Sequence, residues 1–266
     1  MPAAFFDLDK TVIAKASVAA FGRPFRRGGL ISRRVVARAV ASQLIYLHLG
    51  ADEQRLNRVR ETMLMLTKGW NRDRVHQIVR DALLEVVEPL IYAEALELME
   101  QHRAGGDRVY LVSAAPEEIV QPLADLLGVD GAIASRGEVD DAGCYTGRMA
   151  FYAYGPNKAT AISELAQRTG LDLAECTAYS DSATDLPMLE IVGHPVAVNA
   201  DRPLAKAARE RGWELRQFTK PVRLRDRVTR TTPMVGTSLA LAGAAVFMWR
   251  RGQRVRRAAP IARSAA

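Results

Sequence analysis

The chain has 266 residues, 48% of them apolar, and a formal net charge of +7, enough for one large domain or two modest ones with a sizeable core. Its two cysteines, Cys144 and Cys176, have no second cysteine or paired histidine at zinc spacing, which excludes a zinc cage and a disulfide framework. Arginines crowd residues 23–38 and 223–263, but no recognition helix, zinc finger or aromatic-rich RNA motif accompanies them, so no nucleic acid is expected as a partner.

A short apolar run at the N-terminus, Ala3 to Phe6, ends in two aspartates, Asp7 and Asp9. An apolar run bounded by a turn signal predicts a buried strand, and a parallel strand covered on both faces is apolar throughout. The aspartates therefore lie at the carboxyl end of this strand, where open α/β sheets bind ligands. Two carboxylates this close repel each other unless a cation lies between them, and Mg²⁺ prefers oxygen ligands. Taken alone, the pair is equally typical of a solvated turn.

The stretch from Ile13 to about Tyr92 is predicted to be helical, with glycines separating its helices. Asn71 is the predicted N-cap of the last of these helices. A helical insert directly after the first strand, before the sheet resumes, predicts a cap domain at residues 15–92. Residues 1–14 and 93–218 would then form the core, and residues 219–266 a basic tail.

Strands and helices alternate from residue 93 onward, beginning with a helix from Ala93 to His102. The predicted strands are Arg108–Ser113, Ala132–Ser135, Cys176–Ser180 and Pro195–Val198, with a hairpin turn at Asp140–Gly143 between short flanking strands. A further helix is predicted from Lys158, with Asn157 as its cap. This alternation predicts an α/β fold, a Rossmann-like parallel sheet with helices on both faces.

Polar residues follow several of these strands or begin a helix. Ser113 ends the second strand, Lys158 begins a helix, and Asp181 and Asp185 follow the strand that ends at Ser180. With Asp7-x-Asp9-x-Thr11 and the helical insert, this order resembles the haloacid dehalogenase (HAD) superfamily of phosphatases. The match is closest to the branch that contains phosphoserine phosphatase. The resemblance covers residues 1 to about 218 and leaves the tail outside.

The resemblance implies a magnesium-dependent phosphomonoesterase with a HAD core and an inserted helical cap. Asp7 would be the nucleophile that forms an aspartyl phosphate, and Asp9 the general acid and base. Ser113 and Lys158 would bind the phosphate, the latter from a helix start whose N–H groups favour an anion. The implied magnesium ligands are the carboxylates of Asp7 and Asp181 and the main-chain carbonyl of Asp9, with Asp185 as a direct or supporting ligand.

Two departures from that branch concern the substrate. Ala16 stands where phosphoserine phosphatases of this branch place a glutamate for the substrate ammonium, and Ala114-Ala115 replaces the glycine pair after the motif serine. Lys15, Arg23, Arg26 and Arg27 would favour a more anionic substrate, or form a solvated basic face. The expected substrate is a small phosphorylated metabolite. The alternatives are a lipid phosphate near a membrane, or a non-catalytic, membrane-tethered module on the same fold.

The tail differs in composition from the rest of the chain. Thr231 to Trp249, 19 residues, contains no charged residue and is flanked by arginines on both sides. A helix needs about 20 apolar residues to cross a membrane, so a spanning or anchoring helix is predicted at 231–249. A helix lying on the membrane surface and a soluble packing helix are the alternatives. Because no signal peptide precedes Asp7, the catalytic domain is expected in the cytoplasm.

Overall fold

The computed structural model describes residues 2–31 and 64–219. These residues fall within one structural unit, Met1–Arg223. The predicted membrane segment Thr231–Trp249 and the part of the cap at residues 32–63 lie outside the described residues. No helix in the described part of the chain is long and apolar enough to cross a membrane.

Seven strands form one sheet. In chain order they are β1 (Ala3–Asp7), β2 (Arg108–Pro116), β3 (Gly131–Val139), β4 (Tyr145–Phe151), β5 (Thr177–Ser180), β6 (His194–Val198) and β7 (Glu214–Arg216). Their order in the sheet is β4-β3-β2-β1-β5-β6-β7, and every neighbouring pair is parallel except β3 with β4. The predicted parallel, Rossmann-like sheet is confirmed. Strand β7 was not predicted, because three residues with charged ends lack the apolar run that indicates a buried strand.

Eight helices are described. They are α1 (Ser17–Ala20), α2 (Gly22–Arg27), α3 (Arg72–Val87), α4 (Ala93–Ala104), α5 (Glu117–Leu127), α6 (Pro156–Thr169), α7 (Leu186–Glu190) and α8 (Arg202–Arg211). Helices α1 to α3 lie between β1 and β2, where the cap was expected; the boundaries at residues 15 and 92 stay a prediction.

Two predicted helix caps have different outcomes. The Asn71 side chain accepts a hydrogen bond from the Arg74 N–H (3.0 Å) and caps α3 as predicted. The prediction for α6 was wrong, since Gly155, with φ of 54°, is the N-cap. Pro156 begins the helix because its fixed φ suits the first helical position and it needs no N–H partner there. Asn157 therefore lies inside the first turn.

The centre of the sheet is apolar and aromatic. All five residues of β1 are buried. The Phe5 ring stacks on Tyr110 of β2, with centroids 5.6 Å apart, and the Phe6 ring stacks on Tyr179 of β5 at 4.3 Å. Burying a phenylalanine side chain contributes about 1.5–3 kcal/mol, so these contacts hold β1 firmly between its neighbours. The backbone that ends at Asp7 is thereby held on a rigid strand.

The β3–β4 hairpin holds the segment that leads into α3. The Gly69 N–H donates to the Tyr145 carbonyl (2.8 Å), and the Tyr145 N–H donates to the Trp70 carbonyl (2.9 Å). The buried Tyr145 hydroxyl also donates a hydrogen bond to the Glu118 carboxylate on α5. Tyr145 of β4 is thus bonded through its main chain to the end of the helical insert and through its side chain to α5.

Candidate active site

The register of the sheet brings the predicted site residues to one edge. Asp7 at the end of β1 aligns with Val112 of β2, and Phe6 aligns with Tyr179 of β5. Ser113 and Asp181 therefore lie just beyond the level of Asp7, on or after the strands that flank β1. Parallel strands end at the same edge of a sheet, so three polar residues that are distant in sequence meet there.

Lys158 reaches this edge from the first turn of α6. Its side chain is 3% exposed, and its Nζ lies 2.6 Å from Asp7 Oδ1 and 2.7 Å from Asp185 Oδ2. The Ser180 hydroxyl donates to the same Asp185 oxygen at 2.7 Å. A buried ammonium is tolerated only when it is paired, and here it lies between two carboxylates. Three of the predicted site residues are thus in direct contact.

Burial and neighbouring charges shift the pKa values of the group. Burial raises the pKa of Asp7 to about 7, although the Lys158 ammonium opposes the shift. Burial likewise raises the pKa of Asp181 to about 6, against the attraction of Lys10. Burial lowers the pKa of Lys158, but the carboxylates of Asp7 and Asp185 outweigh it, and the net pKa lies above the usual range. Burial therefore disfavours the charged forms of Asp7 and Asp181, and a cation beside them would stabilise those forms.

The few carboxylate oxygens at this edge of the sheet are ligands of the type and number that magnesium uses. Within residues 2–31 and 64–219, no three His, Cys, Asp or Glu side chains are arranged to hold a metal ion by themselves. Mg²⁺, however, keeps several water ligands and commonly uses only one or two carboxylates. Asp181 is available for this role, because its nearest cation, the largely exposed Lys10 ammonium, is 3.7 Å away. Asp185 instead accepts bonds from Lys158 and Ser180, which suits a supporting position.

Asp9 and Ser113 occupy different surroundings at the same edge. The Ser17 N–H donates to Asp9 Oδ1 at 2.8 Å. Burial raises the pKa of Asp9, and the bond from Ser17 opposes that shift. Ser113 is buried, and its Oγ accepts a hydrogen bond from the Ala115 N–H (3.1 Å), which leaves the hydroxyl hydrogen able to donate. The structure does not bring Asp9 or Ser113 into direct contact with Lys158 among the bonds described.

Ser135, predicted only as the end of a strand, connects the last part of β2 to the loop before α6. Its hydroxyl donates to the Ala114 carbonyl at 2.8 Å and accepts from the Ala153 N–H at 3.1 Å. Ala114 follows Ser113, and Ala153 lies just before the helix that bears Lys158. A serine at a strand end was the only sequence signal, and it is a weak one.

Asp201 connects the loop that bears Asp181 to α8. The Asp201 N–H donates to the Asp181 carbonyl (2.8 Å), and its Oδ2 accepts from the Ala183 N–H (3.1 Å). Its other carboxylate oxygen accepts from the Leu204 N–H at 2.8 Å and caps α8. The sequence signal was an aspartate just before a helical stretch, which indicates a cap but not the contact with the Asp181 loop.

Comparison with known proteins identifies the family. The model of the haloacid dehalogenase-like hydrolase family matches residues 4–190. The chain belongs to the haloacid dehalogenase-like hydrolase family. The family and the fold both agree with the resemblance found in the sequence.

Three curated relatives of this hydrolase span most of its length. The Inhibition of morphological differentiation protein of Streptomyces azureus is 50% identical over 226 residues, covering 85% of this chain and 82% of that protein. A probable phosphatase of Mycobacterium tuberculosis is 48% identical over 252 residues, covering 92% and 88%. A phosphoserine phosphatase of the same organism is 35% identical over 242 residues, covering 90% and 76%.

A solved structure of a protein of unknown function from Bordetella pertussis Tohama I is also similar to this hydrolase. It is 28% identical, has a TM-score of 0.69, and covers 80% of this chain and 97% of its own. The curated relatives, two of which are named phosphatases, support a phosphatase-type enzyme of the phosphoserine phosphatase-like branch. The non-catalytic alternative is therefore not favoured.

Proposed function

We propose that this hydrolase is a magnesium-dependent phosphomonoesterase that acts through an aspartyl phosphate on Asp7. The observation that supports this most directly is the buried Lys158 ammonium 2.6 Å from Asp7 Oδ1. A nucleophilic carboxylate must approach a phosphate that carries the same sign of charge. A fixed ammonium beside it offsets that repulsion.

In the proposed first step, an Asp7 carboxylate oxygen attacks phosphorus and the bond to the leaving oxygen breaks. Asp9 protonates that oxygen, and its raised pKa favours the protonated state that the step requires. The Ser113 hydroxyl and the first-turn N–H groups of α6 donate to phosphate oxygens. In the second step, Asp9 takes a proton from water, the water oxygen attacks phosphorus, and inorganic phosphate leaves with Asp7 regenerated.

Magnesium would be held by the carboxylates of Asp7 and Asp181 and the main-chain carbonyl of Asp9. When bound, the ion supplies positive charge against the phosphate oxygens. Asp185 would support the site by fixing Lys158, which it contacts at 2.7 Å.

The proposed substrate is a small phosphomonoester. One relative is named a phosphoserine phosphatase, but Ala16 here provides no carboxylate for a substrate ammonium. Lys15, Arg23 and Arg26 are exposed basic residues on α2 or between β1 and α1. Arg27 lies 3.9 Å from Glu85, so part of its charge is offset. These residues support an anionic substrate more than a zwitterionic amino acid ester.

The test of this proposal compares wild-type protein with the variant Asp7→Asn on a panel of phosphomonoesters, with and without magnesium. An amide cannot form an acyl phosphate, so turnover should fall roughly a thousandfold or more. Asp141→Asn, at the exposed tip of the β3–β4 hairpin, is the matched control. Mass spectrometry of acid-quenched wild-type protein should detect phosphate on Asp7. Equal turnover in folded Asp7→Asn protein would refute the mechanism.

We also propose, from the sequence alone, that Thr231–Trp249 anchors the protein to a membrane with its catalytic domain in the cytoplasm. The support is the uncharged stretch between arginines that attract anionic lipid. Ultracentrifugation of a lysate at low and high salt tests the proposal. Full-length protein in the soluble fraction at low salt would contradict it, and release only at high salt would indicate a helix on the membrane surface.

A further inference from the structure

A cleft of about 570 Å³ is lined by residues of the helical insert, of β4 and of the start of α6. Its walls include Leu64, Met65, Gly147, Met149, Tyr152 and Asn157. They come from the segment before α3, from β4 and its following loop, and from the first turn of α6. The cleft is therefore bounded by both the helical insert and the sheet.

The strand register indicates that the cleft lies toward the same end of the parallel strands as Asp7. Asp7 aligns with Val112, and Val112 aligns with Ile133 of β3. Strand β3 runs on to Val139, so its last residues and their β4 partners extend past the level of Asp7. Asn157, which also lines the cleft, directly precedes Lys158, whose ammonium contacts Asp7.

The lining of the cleft is predominantly apolar. Leu64, Met65 and Met149 supply hydrocarbon and thioether surface. Arg148 also borders the cleft, but its guanidinium is paired with Glu138 through bonds of 2.5 and 2.8 Å. The volume lies within the range of roughly 300–1,000 Å³ that is usual for small-molecule pockets. An apolar ligand surface would match this lining better than a charged one.

We propose that this cleft binds the leaving group of the substrate, and that this group is an elongated alkyl chain. The inference rests on the proposed phosphomonoesterase function. Strand β4 is three strands from β1, which at about 4.8 Å per strand is roughly 14 Å. A chain of several methylenes is needed to span that distance from a phosphate at Asp7. Ala16 stands where phosphoserine phosphatases of this branch place a glutamate, so no carboxylate at this position favours a substrate that carries an ammonium group.

The experiment measures kcat/KM for primary alkyl phosphates of two to ten carbons, below their micelle concentrations, with full-length protein. Each methylene buried in the cleft should raise kcat/KM about fourfold, the equivalent of about 0.8 kcal/mol. Met149→Glu should flatten this dependence. Met65→Glu is the second variant, because Met65 is 59% exposed and its substitution is compatible with folding. Leu215→Glu, on β7 at the other edge of the sheet, should keep the wild-type dependence.

Calorimetry measures the binding of non-hydrolysable alkyl phosphonates to wild type and to the three variants. This binding tests the cleft assignment separately from the proposed hydrolysis reaction. Affinity that rises with chain length in wild type and Leu215→Glu but not in the two cleft variants supports the cleft. If no ester is hydrolysed but this binding pattern is present, the proposed reaction fails and the cleft assignment stands. A flat dependence in wild type, or an equal dependence in all four proteins, overturns the cleft assignment whether or not esters are hydrolysed.

Discussion

The Ser135 hydroxyl donates a hydrogen bond to the carbonyl of Ala114, 2.8 Å away, and so connects β3 to the last part of β2, just after Ser113. The same oxygen accepts from the Ala153 N–H in the loop before α6. One buried hydroxyl therefore fixes the spacing between the two segments that would bind phosphate. Ser135 acts through these segments, so it is a positioning residue.

Replacing Ser135 with alanine should weaken phosphate binding more than it weakens the fold. The change leaves the Ala114 carbonyl and the Ala153 N–H unpaired, at a cost of roughly 1–3 kcal/mol in stability. Displacement of the two segments should raise the inhibition constant for inorganic phosphate about tenfold. Steady-state inhibition and thermal melting measure the two effects, with the half-buried Ser163→Ala on α6 as control. A lower melting temperature with an unchanged inhibition constant would restrict Ser135 to a structural role.

Asp201→Asn should weaken magnesium binding while keeping α8 capped. Asparagine can still accept from the Leu204 N–H, but its amide nitrogen would face the Ala183 N–H, donor against donor. The loop that bears Asp181 would lose this side-chain bond and keep only the main-chain bond from the Asp201 N–H to the Asp181 carbonyl among the bonds described here. Loss of a group that supports a metal ligand typically costs about 10–100-fold in metal affinity.

Calorimetric titration with magnesium measures this affinity directly, and the magnesium dependence of turnover provides a second readout. Asp172→Asn is the matched control, because Asp172 caps a short 3-10 helix through the Ala174 N–H. Equal magnesium affinity in Asp201→Asn and wild-type protein would remove the proposed role of Asp201.

Asp181 should make the metal-free protein less stable as pH rises. Its pKa is raised to about 6 in the folded protein, above the value of about 3.9 expected when unfolded. Between these two values the folded state binds more protons than the unfolded state, so the free energy of unfolding falls as pH increases through that window. Asp181→Asn removes this titration. In chelator at pH 8, its melting temperature should exceed that of wild type by about 3 °C, the shift that ~1 kcal/mol produces in a chain of this size.

Two further measurements separate this effect from a general change in stability. Near pH 4 the difference between Asp181→Asn and wild type should close, because Asp181 is then protonated in the folded protein. Magnesium should raise the melting temperature of wild type and have little effect on the variant. If Asp181→Asn is less stable than wild type at pH 8 without metal, other groups in the folded protein already stabilise the charged Asp181 carboxylate. An added cation would then not be needed at this position.

The sequence was informative where one local pattern decided the structure. The apolar run Ala3 to Phe6 predicted a buried strand, and its burial on both faces agrees. Charged residues at strand ends predicted the edge at which Lys158 meets Asp7 and Asp185. Taken alone, each such residue is equally typical of a solvated turn, and the prediction came from their occurrence together at the ends of parallel strands.

Other features depended on contacts between distant segments and had no local signal. Ser135 and Ala153 are 18 residues apart, and a serine at a strand end is equally typical of a solvated turn. The α6 cap was assigned to Asn157 because asparagine is a common cap, although Pro156 moves the helix start to the preceding glycine. The partnership of Tyr145 with Glu118 joins residues 27 apart that no sequence pattern relates.

The hydrogen bond between Tyr145 and Glu118 predicts how single and double substitutions of these residues change the free energy of unfolding. Tyr145→Phe removes the hydroxyl and leaves the buried Glu118 carboxylate without this donor, which should lower the free energy of unfolding by roughly 1–3 kcal/mol. Replacing both partners with apolar groups of similar shape can be nearly neutral, since no buried polar group is then left unpaired. The double variant Tyr145→Phe/Glu118→Met should therefore recover most of the loss.

Denaturant unfolding of the wild type, both single variants and the double variant measures the coupling. Additive losses would mean that the two side chains contribute to stability independently of each other.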